Sequence, residues 1–364
     1  MARKRLKLPR RILRISGKKA LIVTGKIITK TGLAAKVQDV LSVRGISSVI
    51  FNDLPGEPDD KMIDAALSVF KSEKCDFIIG LGGGTPLDTA KAVAAMAVLP
   101  GKLSDFAGKE MSGDFAPLVL IPTTAGTGSE ATKFFVYTDT ATDAKLLMKG
   151  DALLPKLAVI DWTYTISSPV SITVATGMDA LTHAVEAYTS KKANPITDIY
   201  CLDAIKRIFK YLPAAAKDGN DRTAREQMAL AAYEAGVCIN NSSVTLVHGM
   251  SRPIGALFHV PHGISNAMLI RECLRFALDG EGAENVLQKS LWKSARQKKQ
   301  TVLPAHQRNF LARLNALQKR LKFLLCANTE LTLKNLKPLK KKWRLIRLPQ
   351  EVLQTRGRQF QKMT

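Results

Sequence analysis

The 364-residue sequence predicts an α/β domain with a parallel sheet, followed by an all-helical domain. In the first half, short apolar runs rich in β-formers alternate with helical stretches, which is typical of parallel strands joined by right-handed crossovers. After Ser168 the strand signal stops, and the helical signal continues to about Leu278. A chain of this length can bury two substantial cores. We therefore expect an α/β domain over residues 20–168 and a helical domain over 169–280.

The α/β prediction depends on the order of the elements along the chain. Apolar runs at 20–25, 47–53 and 76–82 are separated by predicted helices at 32–43 and 59–73. Further strands are predicted at 118–122, 134–139 and 156–161. Ligands bind at the carboxyl ends of such strands, so the turns that follow them are the first candidates for a site.

A glycine turn at residues 82–84 joins the third strand to a predicted helix at 87–96. Glycine lets the backbone approach a ligand closely, and a helix N-terminus presents free amides and positive charge to an anion. The turn matches neither GxGxxG nor a P-loop, so it indicates a phosphate-binding turn or a purely structural one. The next strand ends in a second turn whose hydroxyls suit a ribose or an adenine. These hydroxyls belong to Thr123, Thr124, Thr127 and Ser129.

Four side chains of the helical half indicate a metal site. Asp179 and His183 lie four residues apart among good helix formers, so a carboxylate and an imidazole share one helical face. His248 and His262 add two imidazoles from a later segment. One oxygen and three nitrogens suit Fe(II) or Zn(II) better than Mg or Ca. The same spacing also fits surface histidines and an Asp that favours the helix dipole, so spacing alone leaves both interpretations open.

Four segments in this order resemble the iron-containing (group III) alcohol dehydrogenase family: GGGTPLDTAKA, PTTAGTGSE, TGMDALTHAVEAYTS and VHGMSRPIGALFHVPHG. The resemblance implies a Rossmann-like dinucleotide-binding domain and a helical metal-binding domain, as in dehydroquinate synthase-like proteins. It also implies hydride transfer between a small alcohol or aldehyde and NAD or NADP, in a homodimer or a higher homo-oligomer. The implied ligands of Fe²⁺, or of Zn²⁺, are Asp179, His183, His248 and His262.

The same resemblance places the dinucleotide on the α/β domain. Its pyrophosphate falls on Gly83, Gly84 and Thr85. The other implied cofactor positions are Asn52, Asp88, Thr123, Thr124, Thr127 and Lys145. Asn52 stands where many relatives have an Asp that binds the adenosine ribose. Because Asn is neutral, a 2′-phosphate is acceptable there, and both NAD and NADP stay open.

A second departure concerns proton transfer. Arg252 stands where many members of that family have a histidine near the reacting group, and arginine cannot give up a proton. We therefore assign a proton relay to His259 or to water, since an imidazole titrates near neutral pH.

The net charge of +23 is concentrated at the two ends of the chain. Residues 1–20 carry nine Lys/Arg and no acid, and residues 281–364 carry twenty Lys/Arg against four Glu, which leaves −2 for residues 21–280. No aromatic-basic motif accompanies the basic ends, so nucleic-acid binding is the weaker alternative. No apolar run is long enough for a membrane span and no signal peptide opens the chain, so we expect a cytoplasmic protein with free thiols.

The basic ends are treated as separate from the two domains, as a leader over 1–19 and a tail over 281–364. The tail contains no Asp and is crowded with Lys, Arg, Gln and Leu. We hypothesise that it is read out of frame from near residue 285, so that it lacks the apolar periodicity needed to cover the ligand-bearing helices. The alternatives to an alcohol dehydrogenase are then a glycerol dehydrogenase-like or other superfamily member, or an inactive frameshifted product.

If the tail is out of frame, resequencing the locus should recover a different C-terminus. The chain as written should then fold poorly beyond residue 170 and turn over little, because the ligand helices lose their apolar cover. A locus that still encodes LPQEVLQTRGRQF, or a purified, folded and active protein of this sequence, would contradict the hypothesis.

Overall fold

The computed structural model describes residues 17–258, 260–279 and 303–326. The chain divides into two compact units between Ser167 and Ser168. The basic leader, except for its last residues, and most of the basic tail lie outside the described residues, so the out-of-frame hypothesis stays a prediction there.

The first unit is built on a parallel sheet, as predicted. Its strands are β1 (Lys19–Thr24), β2 (Ser47–Phe51), β3 (Phe77–Gly82), β4 (Leu118–Pro122), β5 (Phe134–Asp139), β6 (Ala144–Lys149) and β7 (Leu157–Ala158). Five of them form the parallel sheet in the order β2-β1-β3-β4-β7. Ile22 in β1 is paired with Ile50 on one side and with Ile79 on the other. Both faces of β1 are buried, which explains why its sequence is a continuous apolar run.

Helices cover the two faces of this sheet. They are α1 (Lys26–Lys30), α2 (Leu33–Ser42), α3 (Asp60–Ser72) and α4 (Gly84–Met96). On one face, α2 packs against Ile22 and Ile79, and on the other face α3 and α4 pack against Leu21 and Ile78. Because successive strand residues point to opposite faces, each strand contributes to both cores.

The predicted strand at 134–139 forms, but outside the parallel sheet. It is β5, and it pairs antiparallel with β6, which the sequence did not predict. Alternate residues of β5 are buried, and this alternation is typical of a strand with one exposed face rather than of a central parallel strand. The predicted strand at 156–161 is reduced to the two residues of β7.

Helices make up the described part of the second unit: α5 (Val170–Thr189), α6 (Pro195–Lys217), α7 (Arg222–Asn241), α8 (Leu246–Phe258), α9 (His262–Asp279) and α10 (Leu303–Cys326). Helix α5 is buried on nearly all sides by its neighbours. Gly177 allows α6 to approach, because a Cβ there would lie 2.4 Å from the Leu212 side chain. In the described residues no helix has the length and apolarity that a membrane crossing requires.

Helix α10 differs from what we expected of the tail. Its buried residues repeat every three or four positions, as in an amphipathic helix, and they are Leu314, Leu317 and Leu321. The Gln318 side-chain amide donates to the Ala267 carbonyl of α9 at 2.7 Å. The expectation that the tail lacks apolar periodicity is therefore wrong for residues 314–321, because leucines recur there on one face despite the basic composition.

Ionisable side chains are buried in the first unit beside the start of β5. Lys91 of α4 is fully buried, and its ammonium donates to the Thr132 and Phe134 carbonyls at 2.7 and 2.8 Å. Glu130 is 4% exposed, and its Oε2 has no hydrogen-bond partner among the described residues. Burial raises the pKa of Glu130 to about 7, although the charge of Lys91 opposes this shift.

We predict that Glu130→Gln stabilises the chain at about pH 8 but not at about pH 4. The folded pKa of about 7 lies above the ordinary value of 4.5, so the folded state favours the protonated acid. The associated stability is complete below the unfolded pKa and is lost as the pH rises through the folded one. A neutral amide avoids this loss, so the free energy of unfolding should rise by about 1–3 kcal/mol at the higher pH.

Urea unfolding at both pH values measures this effect. Glu226→Gln, at an exposed position of α7, is the control and should change little. An equal gain from Glu130→Gln at both pH values would contradict the role assigned to the buried acid.

Candidate metal centre and nucleotide turn

The glycine turn lies where the direction of the sheet order reverses. Strand β1 has β2 on one side and β3 on the other, so the crevice between β1 and β3 is the topological switch point. The turn follows β3 directly, and α4 begins at Gly84, three residues earlier than predicted. The first amides of α4, at Gly84 and Thr85, therefore belong to the helix N-terminus, where backbone donors remain without intrahelical acceptors.

The turn that follows β4 carries Thr123, Thr124, Thr127 and Ser129, and we call it the threonine turn. It lies against the glycines of the glycine turn. A Cβ on Gly83 would be 3.4 Å from the methyl group of Thr124, and a Cβ on Gly84 would be 3.1 Å from that of Thr127. The Thr124 hydroxyl is buried and has no hydrogen-bond partner in the described part of the chain. The structure thus brings together two glycines, free amides and an unused hydroxyl, which is a combination that suits a phosphate.

Two other predicted cofactor positions, Asp88 and Thr123, form hydrogen bonds that hold the threonine turn in place. The Asp88 carboxylate accepts from the Ser129 hydroxyl at 2.6 Å and from the Val136 amide at 3.0 Å. Thr123 is buried, and its amide donates to the Gly82 carbonyl at 2.8 Å. Both residues therefore have structural partners within the first unit.

The remaining two predicted cofactor positions lie on other elements. Asn52 follows β2, and its side-chain amide donates to the Thr29 hydroxyl of α1 at 3.3 Å. Lys145 lies on β6, where its ammonium contacts the Glu57 carboxylate and its side chain is 8% exposed. The ion pair with Glu57 is the structural role that the sequence did not show.

The four predicted metal ligands meet within the helical unit. Asp179 and His183 lie one turn apart on α5, His248 lies on α8, and His262 is the first residue of α9. The four ligand atoms all lie within 4.8 Å of one another. Asp179 Oδ1 lies 3.8, 3.7 and 3.7 Å from Nε2 of His183, His248 and His262, respectively.

Burial makes this group electrostatically unusual. Asp179 is 3% exposed, and a carboxylate buried to this degree is costly unless charges or donors compensate it. Burial alone would raise the pKa of the Asp179 carboxyl, but the three histidines hold that pKa well below its usual range. Burial has the opposite effect on an imidazole and alone would lower the pKa of His248. The Glu186 and Asp179 carboxylates outweigh this effect and raise that pKa to about 9. The group therefore favours a cation at its centre.

The donor set fits a divalent transition metal. Oxygen and nitrogen ligands bind Zn(II) at about 2.0–2.2 Å, so two ligands of one ion lie at most about 4.4 Å apart. The separations between the Asp179 carboxylate and the imidazoles, 3.7–3.8 Å, lie within this limit, and the whole set, within 4.8 Å, exceeds it by no more than a few tenths of an ångström. A set of one carboxylate and three imidazoles is compatible with Fe(II) as well as with Zn(II).

Asn266 belongs to this site, although the sequence argument did not select it. It is fully buried on α9, and its Nδ2 lies 2.7 Å from Asp179 Oδ1 and 3.1 Å from His248 Nε2. Its Oδ1 has no hydrogen-bond partner among the described residues. The available signal was its position four residues after His262, which places both side chains on one face of α9.

The proposed proton relay, His259, lies outside the described residues. Arg252 is half-buried on α8, one turn after His248. The role assigned to His259 therefore stays a prediction.

Comparison with known families is decisive for the class of protein. The model of the iron-containing alcohol dehydrogenases matches residues 2–162, and the C-terminal model of the Fe-containing alcohol dehydrogenase family matches residues 173–323. The chain belongs to the iron-containing alcohol dehydrogenase family. The match to this family continues past residue 280, where we expected the helical domain to end, and it includes most of α10.

Individual relatives agree with this assignment. The chain is 40% identical over 269 residues to the NAD-dependent methanol dehydrogenase of Bacillus methanolicus, covering 74% of this chain and 71% of the relative. It is 40% identical over 267 residues to the 1,3-propanediol dehydrogenase of Klebsiella pneumoniae, covering 72% and 69%. The crystal structure of a 1,3-propanediol oxidoreductase matches with a TM-score of 0.81 at 34% identity, covering 95% of this chain and 88% of that one.

We predict that Gly263→Ala destabilises the helical unit. A Cβ at this position would lie 2.4 Å from the Ala175 carbonyl oxygen of α5, so α9 would have to move away. Such overpacking typically lowers the free energy of unfolding by about 1–3 kcal/mol.

The change is measured by urea unfolding of the metal-free chain. Gly25→Ala is the matched control, because a Cβ there meets nothing within 4 Å. Equal effects of the two substitutions would show that the close contact between α9 and α5 is not what makes Gly263 necessary.

Proposed function

We propose that this alcohol dehydrogenase binds one Fe²⁺ through Asp179, His183, His248 and His262, and uses NAD to interconvert short alcohols and aldehydes. The observation that supports this most directly is that four ligand atoms from three helices lie within 4.8 Å of one another. A carboxylate and three imidazoles that converge in this way are the donor set of a catalytic transition-metal site.

The helical unit offers the ion a polarised, mostly water-excluded site. A bound divalent ion supplies Lewis acidity toward an alcohol or carbonyl oxygen. Asp179 supplies the negative charge, and its burial strengthens its attraction for a cation. The side chain of His262 is 35% exposed, whereas those of His183 and His248 are 6% and 4% exposed. The His262 side is therefore the open side, from which we propose that substrate reaches the site.

The first unit supports the choice of a dinucleotide. The free amides of α4 and the unused Thr124 hydroxyl suit a pyrophosphate. The relative from Bacillus methanolicus is named as NAD-dependent. A sulfoacetaldehyde reductase from Bifidobacterium kashiwanohense was solved in complex with NAD⁺ and matches with a TM-score of 0.76 at 28% identity, covering 90% of this chain and 85% of that one. A bound nicotinamide supplies the hydride acceptor or donor.

NADP is kept as the second candidate cofactor. Asn52 is neutral, and the neighbouring Asp53 carboxylate lies 2.7 Å from the Lys26 ammonium. This pairing weakens the repulsion that Asp53 would exert on a 2′-phosphate. The homo-oligomeric state, the cytoplasmic location and the relay through His259 also stay predictions.

The experiment uses the purified full chain, stripped of metal and reloaded anaerobically with Fe(II) or Zn(II). The out-of-frame hypothesis predicts poor folding beyond residue 170, but the buried leucines of α10 and its hydrogen bond to Ala267 support a folded helical unit. We therefore expect one ion per chain and metal-dependent oxidation of NADH by short aldehydes, followed by absorbance, with NADPH tested in parallel. His248→Ala and His262→Ala should each weaken metal binding and activity by more than about 100-fold, because losing a ligand costs more than losing a group behind it.

His306→Ala is the matched control, since His306 lies outside the four proposed ligands. It should bind metal like the unmodified chain. Absence of stoichiometric uptake, or uptake that survives both ligand substitutions, would overturn the proposal.

A further inference from the structure

Glu186 is a buried carboxylate beside the metal centre that is not one of its four ligands. It follows Asp179 and His183 by seven and three residues on α5, so the three side chains share one helical face. Its side chain is 1% exposed. A carboxylate at this depth destabilises a fold unless every oxygen has partners, so its contacts show what it does.

One oxygen of Glu186 holds the imidazole of His248. Oε2 contacts Nδ1 of that ring, while Nε2 of the same ring faces Asp179 Oδ1 at 3.7 Å. A carboxylate accepts the proton of Nδ1–H, which leaves the lone pair on Nε2 free. The contact therefore selects the tautomer and the ring orientation in which Nε2 can bind an ion.

The other oxygen of Glu186 holds the start of the helix that carries His248. Oε1 accepts from the Val247 amide at 2.6 Å and from the Thr245 hydroxyl at 2.9 Å. Helix α8 begins at Leu246, so the Val247 amide is one of the donors that a helix leaves unsatisfied in its first turn. Glu186 thus acts as an N-cap supplied by a different helix, and its charge also favours the positive end of the α8 dipole.

We propose that Glu186 is a positioning residue of the metal centre, which fixes both the His248 tautomer and the first turn of α8 so that His248 Nε2 points at the ion. This inference rests on the proposed metal site. It assigns to Glu186 a role that neither the metal-ligand pattern nor the folding of α5 requires.

Glu186→Gln separates the two contacts. The amide has one acceptor oxygen, which can still cap α8, and its NH₂ group then faces His248 Nδ1. An NH₂ donor favours the tautomer with the proton on Nε2, and that tautomer cannot bind a metal through Nε2. We expect the variant to stay folded, to bind one Co(II) per chain, and to have a dissociation constant about 10–100-fold higher than that of the unmodified chain.

The measurement is a Co(II) titration of the metal-free full chain, followed by visible absorption, with Zn(II) competition against a chromophoric chelator. The Co(II) ligand-field bands should shift in Glu186→Gln, which a purely structural role would not produce. Glu226→Gln, an exposed change on α7, is the matched control and should reproduce the unmodified dissociation constant and spectrum.

Unaltered protein provides a test that does not depend on the folding of a variant. In the zinc-loaded chain, ¹⁵N–¹H NMR of His248 should place the proton on Nδ1. A Glu186→Gln variant with the unmodified dissociation constant and spectrum would overturn the positioning role while leaving the metal site intact. A proton on Nε2 would overturn the positioning role together with the binding of the ion through His248 Nε2. Failure of the unmodified chain to bind Co(II) or Zn(II) would instead overturn the proposed function, and this inference with it.

Discussion

The interaction on which the helical unit depends is the contact of the Asp179 carboxylate with three imidazoles inside the protein. A buried carboxylate is tolerated only when donors and positive charge surround it. Those donors come from three separate helices, so α5, α8 and α9 have to meet at one point. Gly263 allows α9 to approach α5, because a Cβ at this position would lie 2.4 Å from the Ala175 carbonyl oxygen.

Further polar residues hold this meeting point together. Glu186 joins α5 to the start of α8, and Asn266 reaches Asp179 from α9. Each buried polar group thereby satisfies a partner on a different helix, which makes the arrangement of the helices cooperative. A site of this kind is pre-organised by groups behind the ligands as much as by the ligands themselves.

The first unit positions its glycine turn through the order of its parallel strands rather than through buried charges. Parallel strands bring all carboxyl ends to one edge of the sheet, and the order β2-β1-β3-β4-β7 opens a crevice beside β3. The threonine turn is anchored by Asp88, which binds Ser129 and the start of β5. Asp88, which the family resemblance implied as a cofactor contact, therefore also has a structural role.

Local periodicity predicted much of this protein. The four-residue spacing of Asp179 and His183, the alternating elements of the first half and the helical second half all follow from neighbours in sequence. The pairing of β5 with β6 did not follow, because the short strand Ala144–Lys149 has no β-branched or aromatic residue and so carries little strand signal of its own. The leucine repeat of α10 was overlooked because its basic composition dominated the sequence pattern.

The sequence by itself determined most of the helices and parallel strands, which residue types could bind a metal and where the backbone could approach a phosphate. Only the tertiary structure decided which side chains meet. Glu186 in isolation is an ordinary helix former, and Asn266 an ordinary polar residue four positions after a histidine. Their roles arise because helices distant in the chain bring them to one buried point. Glu186 contacts Val247 and His248 across 60 or more residues. Contacts between residues so far apart produce no periodic pattern in a single sequence.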